Sequence, residues 1–250
     1  MPHETPAVIT RNPSLTDQVK AHIKKRIAED GFEDGRIPPE TELANDLGVS
    51  RTTVRDALSR LENEGTIYRR QGAGTFVNEQ GLQIKSRLEE IWSYEQVLED
   101  HGYTPSVRVL SETAAAPDEA SAEALGLSPD DTVLTIEKLF LEDDEPVILT
   151  INRIPTGILK DSEYAKDEVT PLYEFLEHHC DRALTYYVSE IIPVALDKAS
   201  ATKLGVAAGT VALSFEEIGF DQNNEPIVRA TSFFRDDLLR FRLIRRRTRT

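Results

Sequence analysis

The feature that most constrains this chain is that part of it repeats. Asp118-Glu119-Ala120-Ser121-Ala122 returns 79 residues later as Asp197-Lys198-Ala199-Ser200-Ala201. In the same register Leu125-Gly126-Leu127 returns as Leu204-Gly205-Val206, and Leu134-Thr135-Ile136-Glu137 as Leu213-Ser214-Phe215-Glu216. Glu145-Pro146-Val147 returns as Glu225-Pro226-Ile227, one residue later, because the turn Asp221-Gln222-Asn223-Asn224 is longer than its counterpart. Each copy reads as an Asp-capped helix, a glycine stop, a strand, a tight acidic turn and a second strand. Two such units predict one antiparallel sheet with helices on a face, an α+β domain.

Ahead of the repeat the pattern changes. Ser14-Leu15-Thr16-Asp17 has the form of a capping box, and Leu15, Val19, Ile23 and Ile27 then recur every fourth residue along one helical face. Gly31 and Gly35 close that segment. A short helix is predicted from about Pro39 to Leu47, stopped by Gly48. Ser50 caps a third helix with Val54, Ala57, Leu58 and Leu61 as its buried stripe and Gly65 at its end. Thr66 to Val77 is rich in β-formers and broken by Gly72-Ala73-Gly74, which reads as a hairpin. The domains expected are therefore 10–78, a polar linker 79–88, and 89–245, which opens with a helix over about Leu88–Glu99.

The net charge of −15 sits unevenly. Residues 1–78 hold 11 Lys+Arg against 12 Asp+Glu, whereas residues 79–250 hold 18 against 32. The acid lies in the second part, so a basic face near the front is compatible with the total. Arginine outnumbers lysine 20 to 9, which together with the acidic excess is compatible with a salt-rich cell interior. One cysteine, Cys180, excludes an internal disulfide. Short aliphatic runs such as Val147-Ile148-Leu149 give no membrane span, and Met1 to Asn12 lacks the apolar core of a signal peptide. A cytoplasmic protein with no membrane partner is expected.

The third helix presents Arg51, Thr52, Arg55 and Ser59 on one arc opposite its apolar stripe. Arginine can bond guanine O6 and N7 together, and threonine offers a hydroxyl and a methyl. Ser50 and the free amides of the first turn suit a phosphate. The hairpin adds Arg69, Arg70 and Gln71 beside Gly72, where backbone can approach a minor groove closely. Alone, a helix with two arginines is an ordinary solvated helix; followed by a basic glycine-tipped hairpin, it reads as a winged helix-turn-helix on double-stranded DNA.

Val49-Ser50-Arg51-Thr52-Thr53-Val54-Arg55, then Leu58 to Gly65 and Gly72-Ala73-Gly74-Thr75-Phe76-Val77, resembles the GntR family of bacterial-type regulators over residues 14–78. Gly102-Tyr103-Thr104-Pro105, the Leu-Gly strand units and the Glu-Pro turns resemble the effector-sensing UTRA domain of its HutC-like subfamily, which has a chorismate-lyase-like fold. The resemblance implies a homodimeric repressor on palindromic half-sites, with Arg51, Thr52, Thr53, Arg55 and Gly72 on DNA and a small effector shifting the heads. One departure stands in the second helix. The family usually begins it Pro-Ser-Glu-Arg-Glu, whereas Pro38-Pro39-Glu40-Thr41-Glu42 lacks both the cap hydroxyl and the arginine.

For the effector, Thr170 reads as a helix N-cap with Pro171 at the first helical position, leaving amides free for an anion; simple capping is the plainer reading. Lys138 and Phe140 alternate on one strand face, and Ser93 lies in the preceding helix. Relatives that bind sugar phosphates commonly carry arginine at the positions matching Lys138 and Phe140, so the resemblance implies a smaller or flatter anion here, such as a carboxylate stacked on Phe140. Glu217 holds the repeat position equivalent to Lys138, and an ion pair between the two is an equal reading. Thr150, Arg229 and Phe234 flank the Glu-Pro turns as further candidates.

His178-His179-Cys180-Asp181 is not a metal site on this reading, because consecutive helical residues point about 100° apart. No cofactor motif, phosphate loop or nucleophile elbow is present. A second reading makes the larger domain a lyase, since a related fold supports that chemistry, yet no acid, base and nucleophile stand together. The run Arg245-Arg246-Arg247-Thr248-Arg249 reads as a solvated tail, with phosphate contact as the lesser alternative.

Overall fold

A computed structural model describes residues 13–29, 31–82, 87–88, 90–160, 169–235 and 237–245. Residues 10–12 of the first expected domain, 83–86 of the expected linker and 246–249 of the arginine run lie outside the described residues. The chain divides into two compact units, one of residues 1–84 with 243–250 and one of residues 85–242.

In the first unit α1 (Leu15–Ala28) starts on Ser14, whose Oγ accepts the Asp17 amide and donates to the Asp17 carboxylate at 2.6 Å. Its buried face of Val19, Ile23 and Ile27 meets the fully buried stripe of Val54, Ala57, Leu58 and Leu61. That stripe belongs to α3 (Arg51–Glu64), which Ser50 caps through the Thr53 amide and Gly65 ends with a φ of 80°. Between them α2 (Glu40–Leu47) begins at Pro39 without a side-chain cap and stops at Gly48. Each large aliphatic buried this way contributes about 1.5–3 kcal/mol, enough to fix how the three helices pack.

The hairpin is one part of a three-stranded sheet. Strand β1 (Arg36–Ile37) joins β2 (Ile67–Arg70) and β3 (Gly74–Val77) in the order β1-β3-β2, all antiparallel. Two residues are too few to show a period, so β1 left no pattern in the sequence. The segment read as polar linker opens with a helical turn, α4 (Glu79–Leu82). A Cβ at Gly81 would stand 1.9 Å from the Gly65 carbonyl oxygen, so only glycine lets this turn approach the end of α3.

The second unit begins with α5 (Tyr94–Asp100), which starts on Ser93 and not at Leu88. Then follow β4 (Pro105–Ala115), α6 (Glu119–Leu125), β5 (Val133–Glu142), β6 (Glu145–Pro155), α7 (Leu172–Cys180), β7 (Tyr186–Ala195), α8 (Lys198–Lys203), β8 (Val211–Phe220) and β9 (Pro226–Phe234). One antiparallel sheet has the order β4-β5-β6-β9-β8-β7. Each repeat copy is thus strand, helix, strand, strand: β4-α6-β5-β6 and β7-α8-β8-β9. The leading strands are the two sheet edges. Much of β7 is exposed, including Val188, Ile191 and Ile192, so it lacks the in-out alternation that marks an ordinary strand.

The two copies meet at β6 and β9, where Ile151 pairs with Thr231. These residues share the 80-residue offset that relates Glu145 to Glu225, so a pseudo-twofold axis passes through this pair. Helices cover both sheet faces, not one. Val97 and Leu98 of α5 pack with Phe140, Ile148, Phe215 and Phe234, and Phe175 and Leu176 of α7 pack with Leu134 and Ile136. On the opposite face Ala201 and Leu204 of α8 pack on Leu139 and Leu149, and α6 lies over Arg229 through Ser121.

Candidate functional site

The first candidate surface is the start of α3 with the adjoining hairpin. Arg51 and Thr52 are exposed, and among the described residues neither side chain is engaged in a hydrogen bond or ion pair. Thr53 is held differently: its Oγ1 lies 2.8 Å from Ser50 Oγ, and its amide donates to the same oxygen at 3.1 Å. Arg55 lies along Glu40, with Nε 3.1 Å and Nη2 3.0 Å from Oε2. That contact raises the Arg55 pKa above an already high value, so the guanidinium stays charged.

Glu40 was not singled out by sequence. It stands at the first residue of α2, where it also lies 3.9 Å from Arg69, while Glu62 of α3 takes Arg69 Nε at 3.3 Å. One carboxylate therefore positions a cation from the helix and one from the hairpin. Arg70 lies over the Tyr68 and Phe76 rings at 5.8 and 5.6 Å. Gln71 is exposed in the turn, and Gly72 has a φ of 76° with nothing within 4 Å of a Cβ placed there. Arg36, also missed, donates from Nη2 to the Ala73 carbonyl at 3.1 Å and ties the hairpin tip to β1. The result is an exposed basic ridge with five arginines on a rigid frame.

The second candidate is a cavity of about 570 Å³ in the second unit, between the sheet and the elements bearing α5 and α7. Its floor follows from strand register. One cross-strand row runs Lys138, Thr150, Ser232, Phe215, Ile191, and the next on that face runs Ile136, Asn152, Ala230, Glu217, Ser189. Trp92, Tyr94, Phe140 and Tyr187 supply aromatic wall. Thr150 is 2 % exposed, and its Oγ1 has no hydrogen-bond partner among the described residues. Lys138 Nζ donates to the Thr170 carbonyl at 2.6 Å. Glu217 accepts from Ser189 Oγ at 2.5 Å, and burial pushes its carboxyl above the usual range against that bond. Burial first, and then the Glu217 charge, push the Tyr94 and Tyr187 phenols far up, so both stay protonated.

Ser93, Lys138, Phe140, Thr150 and Thr170 all border this cavity. Arg229 and Phe234 do not. Arg229 points to the other sheet face, toward Asp118 and Glu216, because it is one residue out of step with Ala230. Phe234 is 0 % exposed beneath α5, packed edge-on against Tyr94 and Phe241 and tilted against Phe215. Nor is Thr170 a cap: Pro171 holds the N-cap position of α7, and Thr170 contributes its carbonyl to Lys138. Lys138 and Glu217 form no ion pair among the described residues, since they stand on β5 and β8 with β6 and β9 between. In α7 Cys180 is buried in the core, which pushes its thiol up to about 11.

Comparison with known proteins bears on both surfaces. Residues 15–77 match the bacterial regulatory proteins of the gntR family, and residues 100–240 match the UTRA domain. The HTH-type transcriptional regulator Rv0792c of Mycobacterium tuberculosis is 32% identical over 228 residues, covering 88% of this chain and 80% of its own. The HTH-type transcriptional repressor NagR of Bacillus subtilis is 28% identical over 230 residues, 91% of each chain. This chain belongs to the GntR family. PhnF from Mycobacterium smegmatis superposes with a TM-score of 0.59 at 26% identity, covering 92% of this chain and all of that one. YydK from Bacillus subtilis shares the fold, with a TM-score of 0.71 at 18% identity over 94% of this chain and all of that one.

The GntR chain is thus a DNA-binding transcription regulator with an effector-binding UTRA domain, and not an enzyme. The winged helix-turn-helix is its first unit, and the six-stranded sheet is its UTRA domain. No described helix is long and apolar enough to cross a membrane.

Proposed function

We propose that this regulator is a cytoplasmic, homodimeric repressor of the HutC-like branch that leaves its operator when a small anionic effector fills the UTRA cavity. Ser50, Arg51, Thr52, Thr53 and Arg55 then face the major groove, and Arg69, Arg70, Gln71 and Gly72 form the wing on the adjoining backbone and minor groove. The observation that carries the DNA contact is the contrast within the ridge. Arg51 and Thr52 are exposed and uncommitted at the helix start, while Arg55 and Arg69 are pre-oriented by Glu40 and Glu62. Uncommitted donors at the start of such a helix suit base edges, and held cations suit phosphate.

Residues 79–88 serve as the connection between a DNA-binding domain of 10–78 and an effector domain of 89–245. A repressor role is supported by the likeness to NagR, which is named a repressor. Two heads of a symmetric dimer read two half-sites, so an effector that changes head spacing or mobility weakens simultaneous contact. An anionic group suits the Lys138 end of the cavity, where Thr150 Oγ1, Ser93 and Thr170 border the same space.

The test is a footprint, with fluorescence anisotropy, on the DNA upstream of the regulator's own gene. A protected palindrome with two equivalent half-sites is expected, with one dimer bound per site. Binding that is indifferent to sequence, or a protected site without a dyad, overturns the reading.

A further inference from the structure

Two unlike charges border the cavity at positions related by the duplication of the fold. Glu90 and Glu95 border it as well, with the Glu95 carboxyl pushed up by burial and held down in part by the Lys138 charge. Lys138 and Glu217 hold equivalent positions in the two copies, 79 residues apart, on equivalent strands β5 and β8. Both border the same cavity, on opposite sides of the pseudo-twofold axis. Their cross-strand neighbours differ in the same sense. Thr150 beside Lys138 carries a hydroxyl without a partner, and its counterpart Ala230 beside Glu217 carries none.

The Glu217 end lacks a counter-charge. The carboxylate takes one hydroxyl, from Ser189, and forms no ion pair among the described residues. Tyr94 and Tyr187 stand close enough to feel its charge, and Phe215 lies two residues away on the same strand face, with the Trp92 ring centre 6.3 Å from that of Phe215. A half-buried carboxylate that keeps its charge is stabilised by a positive partner, because a single neutral donor compensates that charge only in part. Aromatic faces add attraction for a cation and none for an anion. A carboxylate with aromatic residues beside it therefore favours an ammonium over a hydroxyl or an acid.

We infer that the effector is a dipolar small molecule, with an ammonium group at Glu217 among these rings and its anionic group at the Lys138 end. This rests on the cavity being the effector site and deepens it by naming the second charge. The strands bearing the two residues are three spacings apart, about 14 Å at the backbone. A lysine and a glutamate side chain shorten that gap, so the two charges of the ligand stand several bonds apart. An α-amino acid, whose charges are adjacent, is too short to reach both ends.

Trp92 is the single tryptophan of the chain and borders the cavity, so its fluorescence reports occupancy directly. The full chain is titrated with 6-aminohexanoate, hexanoate, hexylammonium and glucose 6-phosphate. The zwitterion is expected to bind at least about tenfold tighter than hexanoate, a difference of about 1.4 kcal/mol. Glu217→Gln should bring 6-aminohexanoate down to the affinity that hexanoate has for the same variant, and Glu217→Asp, which keeps the charge, should retain part of the preference. Circular dichroism on both variants establishes that they fold, and the Asp variant carries the test if the Gln variant does not. Hexanoate or glucose 6-phosphate binding as tightly as the zwitterion, with Glu217→Gln without effect, overturns the ammonium assignment and leaves the cavity as an effector site. Silence of Trp92 toward all four probes up to millimolar concentration, in a chain whose operator complex also ignores them, overturns the inference together with the site.

Discussion

The DNA-facing ridge and the effector cavity handle polar groups in opposite ways. On the ridge Arg51, Thr52, Arg55, Arg69 and Arg70 are all exposed, and the helix core behind them is apolar. In the cavity Lys138, Thr150 and Asn152 are 6%, 2% and 7% exposed, and Thr150 Oγ1 is left without a partner. Exposed charge costs little to hold, so the ridge can be retuned without touching the fold. Buried polar groups oppose folding until something completes their bonds. The difference separates a surface that reads a partner from a site that waits for one, and each substitution below tests one side of it.

The largest effect is expected at Arg51. Arg51→Ala should weaken operator binding by about 1–3 kcal/mol, as loss of one bidentate base contact does. Its melting temperature should not move, because the side chain supports nothing in the fold. Anisotropy at fixed salt and a thermal melt together check this. A drop in Tm as large as the drop in affinity would show that the ridge is structural after all.

Glu40→Gln comes next and acts in the other direction. It removes a carboxylate beside the DNA face and releases Arg55 and, in part, Arg69. Binding to non-specific duplex should tighten about three- to tenfold, and its salt slope should steepen by up to about 0.9 for each phosphate newly neutralised. Discrimination between operator and non-operator should fall, since an Arg55 no longer held on one phosphate ceases to fix the register in which Arg51 and Thr52 meet the bases. If specific binding tightens as much as non-specific binding, Glu40 repels DNA and orients nothing.

Thr150→Val then probes the cavity side. It keeps the shape of the side chain and removes a buried hydroxyl without a partner, so the empty protein should gain up to about 1 kcal/mol. Effector affinity should fall in the same variant. A loss of stability on this change would mean that the hydroxyl is already satisfied and that the cavity is not waiting for a ligand there.

How legible these regions were in the sequence follows the same division. The third helix is specified by local chemistry, because Ser50, Gly65 and a 3.6-residue stripe each act within a few positions. Glu40 escaped notice because its role lies in a contact across 15 residues, and nothing periodic marks it. In the UTRA sheet the 79-residue repeat revealed the strands with buried faces, but β4 and β7 are edges whose exposure breaks alternation. Arg229 was misplaced by parity alone: a one-residue step in a strand moves a side chain to the opposite face. The start of α5 fell at Ser93 because Leu88 and Trp92 pack on the core from outside the helix, where hydrophobicity imitates helical continuation. Glu217 was visible as the counterpart of Lys138, but only strand order shows that two strands hold them apart.

The smallest effect, and the one that bears most closely on the cavity, concerns Glu217 and pH. Burial holds this carboxyl above its ordinary value of 4.5, against the lowering by Ser189. The folded state therefore binds the proton more tightly than the unfolded chain does. By linkage, the stability this provides is complete below about pH 4.5 and is lost as pH rises through the folded value. Glu217→Gln carries no such titration. Without effector the variant should melt above the parent at neutral pH, since it leaves no ionised carboxylate at this half-buried position. The difference should close as pH falls toward the ordinary carboxylate value, where the parent is protonated in both states. Other half-buried acids such as Glu95 are shared by the two proteins and cancel in the comparison. A dipolar effector should reverse the order at neutral pH, since only the parent keeps the charge that pairs with an ammonium. If the variant melts lower than the parent without effector, Glu217 is already compensated within the fold, and the cavity resembles the ridge more than it differs from it.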